Sequence, residues 1–264
     1  IYFHTSSDDK DGRLMKYNTL SGEMTTVLVF DSNNTFGSMP TTYVKYGDKL
    51  YFNAKANDLE QEKLFSFDEK SLEVKLVSEY SIRGTAVIYQ NKLYYQSYDS
   101  RYGYELFSYD EKTNVIALVK DLREGEGDSS STDSHLLVVL NNKLYFTAYS
   151  STRYKLFSHD AYTNETILVS NDYNITSNLV AYQDKLYFSA RNLGADQQWP
   201  GINGEELYRY DTQINEIQLV NDINLQPLSE QDERTASSSP SEMFIDNDLL
   251  YFTAYDGISY KEFY

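Results

Sequence analysis

The chain has 264 residues, 41% of them hydrophobic, and 23 lysines and arginines against 40 aspartates and glutamates give it a formal net charge of −17. That length supports a sizeable core, and the negative balance repels phosphate backbones and anionic lipids, which argues against nucleic-acid and membrane-surface roles. Cysteine is absent, excluding a disulfide framework, thiolate zinc sites and cysteine nucleophiles; no apolar run reaches the roughly 18 residues of a membrane-spanning helix.

Read in order, the chain repeats one pair of strings. Ile1-Tyr-Phe is followed by Arg13-Leu-Met-Lys-Tyr-Asn18, and Lys49-Leu-Tyr-Phe52 by Lys63-Leu-Phe-Ser-Phe-Asp68. Lys92-Leu-Tyr-Tyr95 precedes Glu105-Leu-Phe-Ser-Tyr-Asp110, and Lys143-Leu-Tyr-Phe146 precedes Lys155-Leu-Phe-Ser-His-Asp160. Lys185-Leu-Tyr-Phe188 pairs with Glu206-Leu-Tyr-Arg-Tyr-Asp211, and Leu249-Leu-Tyr-Phe252 with Lys261-Glu-Phe-Tyr264. Self-similarity at a period of roughly 45 residues means a solenoid, an array or a propeller.

Two further segments complete each repeat: one before the first string, as in His135-Leu-Leu-Val-Val-Leu140, and one after the second, as in Val115-Ile-Ala-Leu-Val-Lys120. All four are short and rich in Val, Ile, Leu, Tyr, Phe and Thr, which is a strand signature, and no helical period interrupts them. Along Lys143-Leu-Tyr-Phe-Thr-Ala-Tyr149, Leu144, Phe146 and Ala148 face one way and Tyr145, Thr147 and Tyr149 the other. Neither face is polar, as expected of a sheet sandwiched between neighbours, and tyrosine suits such a place because its ring packs while its hydroxyl finds a partner. The expected fold is all-β: one domain over residues 1–264, a β-propeller of four-stranded antiparallel blades, six in number, with an incomplete ring or a piece of a larger propeller as the alternative.

With the strands of a repeat named A to D, the chain begins at B and stops at C. Gly47-Asp48, Gln90-Asn91, Asn141-Asn142, Gln183-Asp184 and Asn247-Asp248 read as tight A–B hairpin turns. The C–D turns are short and polar, as in Asp110-Glu-Lys-Thr-Asn114. The long connections are B–C and D–A, which in an up-and-down meander leave the same edge, so one face carries every long loop. Function concentrates on such loops, and the longest are 191–205 and 224–240.

Gly103-Tyr-Glu-Leu-Phe107 with Leu118-Val-Lys-Asp-Leu122, Gly125 and Ser129-Ser130, and Gly204-Glu-Glu-Leu-Tyr208 with Leu219-Val-Asn-Asp-Ile223, form a recognisable pattern. It resembles the Gly-x-Glu-Leu-Trp / Val-Lys-Asp-Ile repeats of bacterial secreted and surface proteins, with Phe or Tyr in place of the family's Trp and a lone Asp (Asp110, Asp211) in place of its Asp-Gly-Thr turn. The resemblance implies an extracellular or cell-surface location, often within adhesin-like proteins, and brings no catalytic residues.

Few residues point to chemistry. His4, His135 and His159 fall in three different repeats, which disfavours a metal cluster or a shared base. Asp8, Asp9 and Asp11 form a short acidic turn able to offer oxygens to calcium, but the rest of a calcium loop is missing; no other cofactor is expected. The stretch 121–133 is acidic and glycine-rich and reads as a flexible loop joining blades, with calcium binding as the functional alternative. Glu105 and Glu206 occupy one repeat position, where other repeats carry Arg13, Lys63 and Lys155; that alternation reads as ion pairing between blades before it reads as a glycosidase pair. Asn33, Asn164 and Asn174 begin glycosylation sequons, which matter only in an exported chain. Trp199, the sole tryptophan, sits in Asp196-Gln-Gln-Trp-Pro200 on the longest B–C loop, where an aromatic flanked by Gln197 and Gln198 can stack on a sugar or anchor an interface. The expected function is a non-enzymatic extracellular binding or adhesion module whose loop-rich face takes a protein or glycan. A structural subunit of a surface layer or filament, with self-assembly, and a carbohydrate-active enzyme are the alternatives.

Overall fold

The computed structural model of the chain describes residues 1–6, 12–30, 41–55, 61–123, 137–150, 153–194, 204–226, 236–258 and 261–264. They divide into two compact units, Ile1–Leu118 and Val119–Tyr264. In the first, β1 (Tyr2–Ser6), β2 (Gly12–Tyr17) and β3 (Met24–Phe30) form one sheet. β4 (Thr41–Tyr46), β5 (Lys49–Ala54), β6 (Lys63–Asp68) and β7 (Val74–Ser78) form the next. β8 (Arg83–Tyr89), β9 (Lys92–Asp99), β10 (Gly103–Asp110) and β11 (Val115–Lys120) form the third, the last strand running across the unit boundary.

The second unit opens with β12 (Val138–Leu140), β13 (Lys143–Ser150), β14 (Arg153–Asp160) and β15 (Glu165–Leu168). Its central sheet holds β16 (Tyr173–Ile175), β17 (Val180–Tyr182), β18 (Lys185–Asn192), β19 (Glu205–Asp211) and β20 (Glu216–Asn221). β21 (Ser241–Asp246), β22 (Leu249–Ala254) and β23 (Glu262–Phe263) complete it. Every pairing is antiparallel and between neighbours in sequence, save that β16 also pairs with β18. The fold is all-β, built of propeller blades: three sheets are complete A-B-C-D meanders, the first is B-C-D, the last is A-B-C, and the fifth carries β16 as an extra strand beside β18.

Local chemistry sets this order. In four of the five A–B turns both residues adopt positive φ: Gln90 and Asn91, Asn141 and Asn142, Gln183 and Asp184, Asn247 and Asp248. That is the primed turn whose twist matches the strands it joins. The C–D turns are held by a side chain at the end of the C strand. Asp68 Oδ1 accepts the Lys70 and Ser71 N–H groups, and Asp110 and Asp160 repeat the arrangement with Lys112 and Thr113, and Tyr162 and Thr163. These turns close through a left-handed residue, Asn114, Asn164 and Asn215 in three repeats but Leu72 in another.

The sandwiched sheets account for the tyrosine-rich B strands. Leu50, Phe52 and Ala54 of β5 pack with Leu14, while Tyr51, from the opposite face of the strand, packs with Leu93, Tyr95 and Phe107. In the second unit Tyr145 joins Leu186, Phe188, Tyr208 and Tyr210. Phe146 lies directly opposite Phe157, rings 5.8 Å apart, and Phe52 opposite Phe65 at 6.1 Å, a stabilising cross-strand pair. On the A strands, Tyr46 and Tyr182 donate their hydroxyls to Asn91 O and Asp248 O in the next A–B turn.

Candidate functional site

The longest B–C connection leaves β18 and the longest D–A connection leaves β20, and their described ends meet. Gly204 has φ +72°, and a Cβ there would lie 2.6 Å from Ala236 O, so the approach of the two segments requires glycine. The Glu205 N–H donates to Ser237 Oγ at 3.0 Å, and Glu205 O accepts the Ser238 and Ser239 N–H groups at 2.9 and 3.0 Å. Asn224 Nδ2 donates to Ser237 O at 3.0 Å. The B–C and D–A connections therefore emerge side by side from one edge of this unit.

Glu206 is the centre of this junction. It is 0% exposed; its Oε1 accepts the Ser238 N–H at 2.9 Å, and its Oε2 accepts the Ile223 N–H at 3.1 Å and the Ser238 hydroxyl. Burial pushes its carboxyl up to about 7 against the pull of these hydrogen bonds, and the nearby charge of Asp222 adds to the rise.

The same repeat position does similar work elsewhere. Lys155, also buried, donates from Nζ to Asn171 O, and Lys63 pairs with Glu79. In each case the side chain ties its C strand to the D–A connection 16 or 17 residues on. At Lys63, Lys155 and Glu206 the side chain latches its own outgoing connection, Lys63 through an ion pair with Glu79, because these side chains lie beside the start of that connection and bond whichever backbone or side-chain group arrives there. Glu105 is likewise 0% exposed, so neither repeat glutamate is presented to a polysaccharide.

Beside the junction lies a pocket of about 390 Å³, lined by Ser177, Asn178, Glu205, Ser241, Glu242 and Lys261 among others. Lys261 Nζ donates to Ser241 Oγ at 2.5 Å. Ser239 and Glu242, both on the wall, hold positive φ of 43° and 53°, a conformation costly for side chains with a Cβ. Hydroxyls, an amide, carboxylates and an ammonium face one space, a set that can bond a hydroxyl-rich ligand in several directions at once.

Of the residues singled out from sequence, Asp196, Gln197, Gln198 and Trp199 lie outside the described residues, as do Asp8, Asp9, Asp11, Asn33 and His135. Asn164 is exposed at the left-handed position of its turn. Asn174 is 8% exposed, and its Oδ1 accepts the Tyr154 N–H at 3.1 Å, so a glycan there would require both the burial and that bond to be given up. His4 stacks on Tyr43 with ring centroids 6.5 Å apart, and buried His159 meets Thr166 Oγ1 at 3.0 Å. Among the described residues no three His, Cys, Asp or Glu side chains gather as metal ligands. Sequence reasoning missed the serine run 237–239 as a partner of Glu205 and Glu206; its signal was the resemblance itself, which couples a Glu-Leu string to a Ser-Ser string.

No family model matches the chain, and no curated protein matches it. Solved structures do. A prolyl endopeptidase superposes with a TM-score of 0.62 at 14% identity, over 94% of this chain and 36% of that one. A puromycin-hydrolyzing peptidase of Mycobacterium tuberculosis gives 0.53 at 10% identity, over 82% and 34%. The extracellular domain of a one-component system from B. thetaiotaomicron gives 0.50 at 14% identity, over 95% and 30%. The chain spans about a third of the length of each, and at these identities the likeness bears on the fold alone.

Proposed function

We propose that this chain is a non-enzymatic binding module, exposed outside the cell, that takes a glycan at the corner formed by connections 191–205 and 224–240. The observation that carries the reading is the stitched junction of Glu205 and Glu206 with Ser237, Ser238 and Ser239, set beside the polar pocket of Ser177, Asn178, Ser241, Glu242 and Lys261. A rigid base under two long loops is how binding loops are usually held. Trp199, with Asp196, Gln197 and Gln198, belongs to one of those connections and supplies the stacking ring that sugar recognition favours. The resemblance to repeats of bacterial surface proteins supports the location. Calcium at Asp8, Asp9 and Asp11 is a subsidiary proposal, checked by a melting temperature that rises with added calcium and falls back with chelator.

The test is a glycan array followed by titration calorimetry on the best ligand. Trp199→Ala and Glu242→Gln should each weaken binding at least tenfold without shifting the melting temperature. Retention of no glycan, or binding indifferent to both changes, would overturn the assignment; ordered filaments in micrographs of a chain that binds no glycan would favour a structural subunit.

A further inference from the structure

A second cavity, within the first unit, has a different chemistry. It measures about 420 Å³, inside the range of about 300–1,000 Å³ usual for ligand pockets. Val77, Phe107, Ile116 and Leu118 give it an apolar lining, to which buried Tyr95 adds its ring. Tyr80, Tyr98 and Tyr102 add three further aromatic rings, with Tyr80 and Tyr98 edge to face at 6.2 Å and Tyr98 43% exposed.

A pre-set charged pair stands on the wall. Asp99 Oδ1 accepts the Arg101 Nε–H at 3.0 Å and its backbone N–H at 2.8 Å, and Oδ2 accepts Nη2–H at 2.9 Å. The carboxyl of Asp99 is held below its ordinary range by the guanidinium. Arg101 also lies over the Tyr102 ring at 5.1 Å, yet its side chain is 72% exposed. With Nε and Nη2 committed, Nη1 is a fixed donor that no hydrogen bond occupies among the described residues.

We infer that this pocket is a docking site for an extended peptide of a partner protein, which inserts one large aromatic side chain against Val77, Phe107, Ile116 and Leu118 and gives a backbone carbonyl to Arg101. The balance of surface decides against a sugar. Ser78 and Ser97 also line the cavity, but against the patch of Val77, Phe107, Ile116 and Leu118 a sugar would bury hydroxyls without partners, which costs free energy for each, whereas an aromatic anchor there buries apolar surface that gains from burial. The Asp99–Arg101 pair is internally neutral, so it supplies a directed donor without demanding a charged ligand. Tyrosine walls with an arginine are also the composition enriched where interfaces concentrate their energy. The exposed Glu79 carboxylate, paired with Lys63, also lines the cavity, and with the chain's charge of −17 it favours basic residues flanking the anchor.

The probes are N-acetyl-tryptophanamide, N-acetyl-alaninamide and methyl glucoside, titrated into the full chain and followed by ligand-observed NMR. The tryptophan amide should bind in the millimolar range, at least tenfold more tightly than the other two. Tyr98→Ala and Ile116→Arg, both at partly exposed positions, should each weaken it at least tenfold while the melting temperature holds. Preference for the glucoside would make this a saccharide pocket and overturn the proposal. So would saturation by none of the three at solubility-limited concentration, or binding that ignores both substitutions.

Discussion

Glu206 offers the sharpest test of how the loop junction is held. Its carboxyl is raised from 4.5 to about 7, so the folded chain holds this proton more tightly than the unfolded chain does. The sign follows: the contribution of Glu206 to stability is fully present below about 4.5 and is lost as pH rises through about 7. A shift of that size corresponds to at most about 3 kcal/mol, at roughly 1.4 kcal/mol per pKa unit. Glu206→Gln keeps the shape and one acceptor but cannot titrate. Urea melts of both forms at intervals between pH 4.5 and 8, followed by circular dichroism, should therefore diverge. Wild type loses stability relative to Glu206→Gln as pH rises, by up to about 3 kcal/mol, while all other titrating groups cancel in the difference. Glu206→Ala should cost roughly 1–3 kcal/mol at pH 5, because the part-buried Ile223 N–H and the donors of buried Ser238 would lose this acceptor. A difference between wild type and Glu206→Gln that stays flat with pH, or that grows in favour of wild type towards alkaline pH, would refute the reasoning. It would mean that the three hydrogen bonds outweigh burial.

Three further outcomes are expected. Phe146→Ala removes a side chain 1% exposed and stacked on Phe157 and should cost about 3–5 kcal/mol in a chemical melt; a loss under about 1 kcal/mol would contradict that packing. Leu72→Asn should stabilise by up to about 1 kcal/mol, since Leu72 holds a φ of 58° while 71% exposed; a lower melting temperature would count against turn strain. Asp160→Ala removes the acceptor of the Tyr162 and Thr163 N–H groups and should lower stability by about 1 kcal/mol, with no loss if water replaces the carboxylate fully.

The strand framework was legible because its signals are local. Two residues of the Asn-Asn or Gln-Asp type between apolar runs can hardly be anything but a primed turn, and alternation along Lys143 to Tyr149 fixes which side chain enters which core. β16 was not legible. Tyr173-Asn-Ile175 is three residues long, and its only hint is that β18 outruns its hairpin partner: β17 pairs with residues 185–187, leaving 190–192 to another strand. The latch escaped for a related reason. Whether residue 206 meets a carboxylate, a lysine or a backbone amide depends on where the chain travels after the D strand, and composition carries no record of that path. The tryptophan-bearing stretch chosen from sequence lies outside the described residues, whereas the polar pocket at the Glu205 junction draws on Ser177, Ser241 and Lys261, residues unremarkable in sequence until separate segments converge.

The latch also bears on how such a chain can be rearranged. Glu206 is an acceptor addressed by amide and hydroxyl hydrogens, while Lys155, at the same register, is a donor addressed to a carbonyl. Transplanting the β19 strand into the place of β14 would point a buried carboxylate at the Asn171 carbonyl, oxygen against oxygen. The reverse exchange would drive an ammonium into the N–H groups of Ile223 and Ser238. Repeats that look interchangeable along the sequence are thus keyed by polarity to their own outgoing segment, and shuffling by unequal crossing-over would be tolerated only when strand and connection move as one cassette.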